Sequence, residues 1–397
     1  MRVVHVITRM IVGGAQENTL YNCIDLKRHY SDEVLLITGP SLGPEGDLIS
    51  REKEVLESLC VETVMSLCRR ISPWRDFQAY LAIRRLIKNF NPDVVHTHSA
   101  KAGILGRAAA WSLRVPVVVH SVHGAPFHRY QSRISSNVYR MAERWAARRC
   151  HRMISVANAM TDLMVGAGVA ERSKFKTIYS GMSVEPFLNS TKFRNAIRKK
   201  YGIEDHHVVI GKIARLFHLK GHKDVIEAAR GVIAKQPDVR FLFVGDGVLK
   251  ETLISQLERL GLSKYFIFTG LVNPSEVPEL IGAMDLLVHA SYREGLARAL
   301  PQALLSGIPV ISYDVDGARE VVLDEVTGRL VAAGDIKGLS EAMEMLVGNP
   351  GIRQKFGSEG QRRFTQQFRH EEMTRHIREL YVDLLNQHIS RTDSAQR

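Results

Sequence analysis

At 397 residues, 45% of them hydrophobic and 24% charged, the chain is too long for one hydrophobic core and too ordinary in composition for a disordered or low-complexity protein. Two domains of about 180 residues each are expected. The formal net charge of +12 is unevenly spread, because residues 101–152 hold ten Lys or Arg against the single acid Glu143. No run reaches the roughly 18 apolar residues that span a bilayer, and residues 1–8 are too short and strand-like for a secretion signal, so a cytoplasmic location is expected.

In chain order, short β-branched runs alternate with helical stretches. Strands are predicted over residues 3–7, 34–37, 61–65, 94–96, 115–120, 153–156 and 175–179, then over 208–213, 240–244, 266–269, 286–289, 310–312 and 328–331. Strands alternating with helices imply parallel sheets, so the fold class is α/β with two open sheets. Residues 1–185 form the expected first domain and residues 190–370 the second. Between them, residues 183–191 contain Pro186 and many polar side chains and read as a hinge. Residues 351–388 are helical in pattern, and residues 390–397, short and polar, are expected to fray. Cys23, Cys60, Cys68 and Cys150 are widely spaced without a CxxC pair. They read as buried free thiols rather than a disulfide framework or a zinc site.

In open parallel sheets ligands bind beyond the carboxyl ends of the strands, so the polar residues and glycines that follow each apolar run are the candidates. After the first run, Gly13 and Gly14 open a helix and let backbone N–H groups face an anionic or hydroxylated ligand. They do not make a GxGxxG fingerprint, since the third glycine is missing. His96 and His98 invite a metal reading, but no third ligand is placed nearby and zinc is not expected. His123 stands at a strand end beside Gly124, in position to reach a ligand. Arg140, Arg144 and Arg148 recur every four residues, with Ile134, Val138, Met141 and Trp145 left for other faces. The basic segment 129–152 therefore reads either as a solvated face or as one resting on anionic lipid at a membrane's inner surface. No nucleic-acid partner is expected.

In the second half, Arg215 and Lys220 follow a buried strand and lead to Gly221 at a helix start. Two cations and a helix N-terminus can neutralise a nucleotide diphosphate without a metal, Arg215 by forked hydrogen bonds and Lys220 as a compact charge. Gly245 and Gly247 end the next strand. Glu294 and Gly295 follow residues 286–289 and precede an expected helix start, whose N–H groups at Leu296 and Ala297 suit phosphate or sugar oxygens.

The segment from Glu294 to Gln302 resembles the E-x7-E element of the retaining glycosyltransferases of family 4. Gln302 stands eight residues after Glu294, where the family carries its second glutamate, and it can still exchange hydrogen bonds with a ribose. The Arg215–Lys220 spacing matches the family's R-x4-K pair, and residues 13–16 resemble its Gly-Gly-Ala-Glu element with Gln16 in place of the acid. The resemblance covers nearly the whole chain. It implies the GT-B fold, two Rossmann-like domains with parallel sheets facing a central cleft, and a final helix, about residues 372–388, returning to the first domain.

It further implies a hexosyltransferase that moves a sugar from a nucleotide diphosphate, UDP above others, to a hydroxyl of a glycan or lipid-linked acceptor in polysaccharide or glycoconjugate synthesis. His123 would approach the donor sugar, Arg215 and Lys220 would stabilise the departing diphosphate, and Glu294 would orient sugar hydroxyls. Gly13, Gly14, Gly245, Leu271, Val272, Leu296, Ala297 and Gln302 would complete substrate binding, with Leu271 and Val272 holding the base through backbone groups. No cofactor or metal is expected. The pair Asp314 and Asp316 has the spacing of the metal-binding D-x-D of another glycosyltransferase fold, but it reads here as a loop. Other readings remain: a nucleotide-sugar 2-epimerase of related architecture, a nicotinamide oxidoreductase, and a catalytically quiet nucleotide-binding subunit in which Gln302 marks lost activity. The acceptor would bind the first domain, where the loops over residues 39–47 and 126–136 carry no readable code.

Overall fold

Valine, isoleucine and leucine dominate residues 2–7, 33–38 and 117–122 on both faces, the pattern of strands covered by helices on each side. A computed structural model, which describes residues 1–41, 46–48, 59–128 and 131–395, gives these runs as strands of one sheet. Residues 42–45 of the expected 39–47 loop, and Arg129 at the start of the basic segment, lie outside the described residues. The chain divides into two units, Met1–Met182 with Phe368–Arg397, and Ser183–Gln367.

In the first unit, β1 (Arg2–Ile7), β2 (Glu33–Thr38), β3 (Cys60–Thr63), β4 (Val94–His98), β5 (Val117–Val122), β6 (Arg152–Ser155) and β7 (Phe175–Thr177) form a sheet of order β3-β2-β1-β4-β5-β6-β7. The pairs are parallel, with Val3 between Val34 and Val94 in the centre. Among the described residues before Met182, its helices are α1 (Gly14–Tyr30), α2 (Pro73–Phe90), α3 (Ala100–Ser112), α4 (Arg133–Ala147) and α5 (Asn158–Gly166). The final helix, His370–Ala395, belongs to this unit, where Met373, Ile377, Tyr381 and Leu384 share a core with Leu20 and Cys23 of α1. Polar groups fix its rotation, because Asp25 accepts from His370 Nδ1 at 2.7 Å and Thr374 Oγ1 at 2.9 Å.

Three local expectations change. The final helix runs on to Ala395, past residue 390, where fraying was expected. Cys60 is exposed and Cys68 half-buried, while Cys23 and Cys150 are buried. Cys60 opens the edge strand β3, which is covered less than the central strands. The third difference is the orientation of α4. Its single acid Glu143 turns inward to a fully buried Arg107 of α3 at 2.8 Å. Arg140 and Arg144 brace the backbone beyond α5, donating to the carbonyls of Ala167 and Gly168. The face turned to solvent is the apolar stripe of Ile134, Val138, Met141 and Trp145.

The second unit repeats the plan with β8 (Val208–Ile213), β9 (Val239–Val244), β10 (Phe266–Gly270), β11 (Leu286–His289), β12 (Val310–Tyr313) and β13 (Gly328–Val331), ordered β10-β9-β8-β11-β12-β13. Besides a one-turn helix at Glu185–Leu188, its helices are α6 (Arg194–Lys200), α7 (His222–Lys235), α8 (Lys250–Leu260), α9 (Val277–Gly282), α10 (Ala299–Leu305), α11 (Ile336–Gly348) and α12 (Pro350–Phe364). Phe241, Phe243, Val288 and Ile311 on the strands bury against Val225 and Val232 of α7 and Leu339 and Leu346 of α11.

The buried Arg107–Glu143 pair yields a stability prediction. Glu143→Leu strips a buried guanidinium of its carboxylate and is expected to cost about 3–5 kcal/mol in urea denaturation. A loss under about 1 kcal/mol would show that the pair does not hold α4 in place.

Candidate active site

Both sheets reverse strand order beside their first strand, between β1 and β4 in one unit and between β8 and β11 in the other. Chain leaving neighbouring strands in opposite directions opens a crevice at their carboxyl ends.

In the second unit the chain after β8 follows a constrained path. Gly221 has φ 64°, and a Cβ there would lie 1.9 Å from the Ala290 carbonyl oxygen. Only glycine fits at this start of α7. Gly245 also brings the turn after β9 close, 2.3 Å from a Cβ to the Ala214 oxygen. These contacts fix residues 214–221. Arg215 is exposed, its guanidinium 5.0 Å from the centre of the Phe217 ring.

Lys220 Nζ donates to Glu294 Oε1 at 2.5 Å, and His289 Nε2, at the end of β11, lies 3.2 Å from the same oxygen. Burial alone would raise the Glu294 carboxyl, but the hydrogen bond from His289 and the Lys220 charge outweigh it and hold it well below the usual carboxylate range. Glu294 is therefore an ionised acceptor at neutral pH. Its backbone N–H donates to Asp316 Oδ2 at 2.6 Å, which pins the loop after β11 to the loop after β12. Asp224 of α7 accepts from the hydroxyls of Tyr292 and Tyr313 at 2.6 and 2.7 Å.

Beneath this cluster, Lys212 on β8 is buried and its Nζ has no hydrogen-bond partner among the described residues. Burial, with the Lys220 charge adding, pushes its ammonium down to about 7.

The helix expected directly after Glu294 begins only at Ala299. Leu296 and Ala297 lie in the preceding loop, half-buried and buried, so their N–H groups precede the first turn rather than belong to it. Gln302 is half-buried within α10. Leu271 and Val272 follow β10, Leu271 exposed.

In the first unit, Gly13 caps α1 in an extended conformation and its carbonyl accepts from Glu17 N at 3.0 Å; Gly14 opens the helix. A Cβ on Gly13 would lie 2.7 Å from Gln16 Oε1. The end of β1 is tied to the start of α3 by Thr8 Oγ1, which lies 2.7 Å from Ser99 Oγ and accepts from Ala102 N. His123 follows β5 directly, half-buried, with Nε2 3.1 Å from His98 Nδ1. His96, expected beside His98 at a strand end, lies within β4, and its two ring nitrogens meet the Tyr381 hydroxyl and Ser121 Oγ at 2.5 and 2.8 Å. His5, His96 and His98 are close enough to suggest a metal cluster, but those two bonds already occupy both nitrogens of His96.

Sequence reasoning passed over four residues of the second site: Lys212, Asp224, His289 and Asp316. Asp316 belongs to the loop that follows β12 (Val310–Tyr313), and that place beyond a strand's carboxyl end is its sequence signal. A lysine inside the apolar run 208–213 was the signal for Lys212.

Residues 193–363 match the family model of glycosyl transferases group 1, and residues 27–181 match the glycosyl transferase 4-like domain. The chain belongs to the glycosyltransferases that pair these two domains, enzymes of the GT-B fold. It is 29% identical over 346 residues to the UDP-Gal:alpha-D-GlcNAc-diphosphoundecaprenol alpha-1,3-galactosyltransferase of Escherichia coli, covering 86% of this chain and 87% of that one. It is 23% identical over 328 residues to the capsular polysaccharide biosynthesis glycosyltransferase CapM of Staphylococcus aureus, covering 82% and 85%. Among solved structures, Anabaena HepE in complex with UDP and glucose superposes with a TM-score of 0.80 at 23% identity, covering 96% of this chain and 100% of that chain.

Lys212 gives a pH prediction. Its unfolded-state value is 10.5 and its folded value about 7, so between those limits the unfolded chain binds more protons and stability rises with pH. Lys212→Met is expected to melt a few degrees higher than the parent at pH 7 and to lose that rise. An unchanged pH dependence in calorimetry would contradict the buried, unpartnered ammonium.

Proposed function

We propose that this chain is a retaining glycosyltransferase of family 4 that moves a hexose from a UDP-sugar to a hydroxyl of a lipid-linked glycan in polysaccharide or glycoconjugate synthesis. The observation that carries the reading is the Lys220–Glu294–His289 cluster at the carboxyl ends of β8 and β11, beside the start of α7. Lys220 spends one of its three N–H donors on Glu294 and keeps two for a diphosphate. Arg215 adds a forked donor on the same loop. These cations supply the charge that the leaving group needs, and the reaction is assigned no metal and no cofactor.

In the reaction the bond from the sugar's anomeric carbon to the diphosphate oxygen breaks, and a bond to the acceptor oxygen forms on the same face. The acceptor's proton passes to the departing diphosphate. An ionised Glu294 cannot act as a general acid at neutral pH, which favours its role in orienting sugar hydroxyls. Retaining glycosidases use paired carboxylates about 5 Å apart, whereas Asp316 and Asp224 already accept from Glu294 N and two tyrosine hydroxyls. Gln302 takes the ribose, Leu271 and Val272 the base through their backbone groups, and Gly245, Leu296 and Ala297 the remaining donor contacts. His123 serves the transferred sugar, with Gly13 and Gly14 offering N–H groups beside the acceptor.

The lipid-linked acceptor is supported by the named substrate of the Escherichia coli relative and by α4. That helix exposes Ile134, Val138, Met141 and Trp145, with Arg133 on it and Arg148 just after it also exposed, a composition suited to the interface of an anionic bilayer. Beside α4 lies an open recess of about 590 Å³ lined by Phe127, Gln131, Arg133, Asn137 and Arg140, among others. We place the protein at the inner face of a membrane, in the cytoplasm.

Two measurements test this. With a UDP-hexose, a diphospholipid-linked GlcNAc acceptor and EDTA, Lys220→Ala is expected to lower kcat by about a hundredfold or more with little change in melting temperature. Normal transfer by this variant would overturn the assignment. Co-sedimentation with phosphatidylglycerol vesicles should fall in the Ile134→Asp, Met141→Asp double variant, whereas unchanged sedimentation would remove the membrane contact.

A further inference from the structure

Three imidazoles run in a line through the interior of the first unit. His5 on β1 and His98 on β4 are fully buried, and His123 follows β5. His5 Nδ1 lies 3.0 Å from His98 Nε2, and His98 Nδ1 lies 3.1 Å from His123 Nε2. The ring centres are 5.3 and 5.4 Å apart with interplanar angles of 17° and 24°. Nearly coplanar rings meeting edge to edge at these separations have the geometry of in-plane N–H···N bonds.

A neutral imidazole donates from one nitrogen and accepts at the other, so the tautomers of a chain of three are coupled and only two arrangements exist. In one, donation runs from His123 through His98 to His5 and leaves a proton on His5 Nε2. In the other, donation runs from His5 through His98 to His123 and leaves a bare lone pair on His5 Nε2. That nitrogen is buried with no hydrogen-bond partner among the described residues. An orphaned buried N–H is rarer in folded proteins than an under-satisfied acceptor, so the second arrangement wins. Burial pushes His5 down to about 3 and His98 well below its ordinary value, so both stay neutral across the working pH range.

We propose that this buried chain fixes the tautomer of His123, with Nε2 accepting from His98 and the proton held on Nδ1, and that His98 and His5 are positioning residues for sugar transfer. The catalytic part rests on the reading of His123 as the residue that meets the transferred sugar. The tautomer itself does not. A donor N–H fixed in place before substrate arrives spares the reorganisation that a freely exchanging ring would require at each turnover.

The test uses the full chain labelled with 15N-histidine, the His123 signals among the 16 histidines being identified by their absence in His123→Asn. Long-range proton–nitrogen spectra of the parent are expected to show a protonated Nδ1 and a bare Nε2 on His123. His98→Leu should release this preference. His98→Asn, whose amide can still donate to His123 Nε2, should retain it. In transfer assays His98→Leu is expected to lower kcat at least tenfold with little change in the donor KM, and His98→Asn to recover most of the loss. A proton on His123 Nε2 in the parent, which needs no variant to fold, would overturn the proposal, as would full kcat in His98→Leu. If the tautomer is as assigned but the parent transfers no sugar, the transferase reading fails and the tautomer assignment stands.

Discussion

A parallel sheet whose strand order reverses beside its first strand leaves one place where chain diverges to both sides, and both units are built around that constraint. Around β1 and β4, and again around β8 and β11, central strands are paired on both edges, so their backbone polar groups are spent within the sheet. The candidate ligand groups lie in the chain just beyond the strands: Gly13 and Gly14 in the first unit, and Arg215, Lys220 and Glu294 in the second. Close backbone approaches at Gly221 and Gly245 hold the second set in place.

The two sites differ in electrostatic character. The second unit gathers charge, with Lys220 bonded to Glu294 and Lys212 buried below them. Charges taken out of water are tolerated when they are paired and hydrogen-bonded, and the Lys212 ammonium, which is not, titrates near neutrality. A diphosphate would relieve part of that repulsion among cations. The first unit gathers neutral imidazoles instead, with His5, His96, His98 and His120 all buried and all held below their ordinary values by burial. A charged site suits a nucleotide diphosphate, and a neutral, hydrogen-bonding one suits sugar hydroxyls.

Much of this was legible in the sequence because strand and helix periods are local. The β-branched runs at residues 3–7 and 208–213 announce buried parallel strands, and the cations after the second run stand where a parallel sheet binds ligands. What escaped depends on contacts between distant segments. The rotation of α4 is one case: the spacing of Arg140 and Arg144 is that of a helix face, but the carbonyls of Ala167 and Gly168 that they reach come from chain more than twenty residues on. Asp316 is another, since only the fold brings its carboxylate to the backbone of Glu294. The chain from His5 to His123 joins three strands, and nothing in the local pattern of any one of them foretells it. The delayed start of α10 is a smaller miss, for helix boundaries are weakly encoded.

The central claim is that Lys220, bonded to Glu294, and Arg215 on the same loop bind the diphosphate of a nucleotide without help from a metal. Calorimetric titration of the purified protein with UDP in the presence of EDTA addresses it most directly. Saturable UDP binding that is abolished by Arg215→Ala is the result this account predicts. Failure of UDP to bind, or binding that appears only when a divalent cation replaces EDTA, would contradict it.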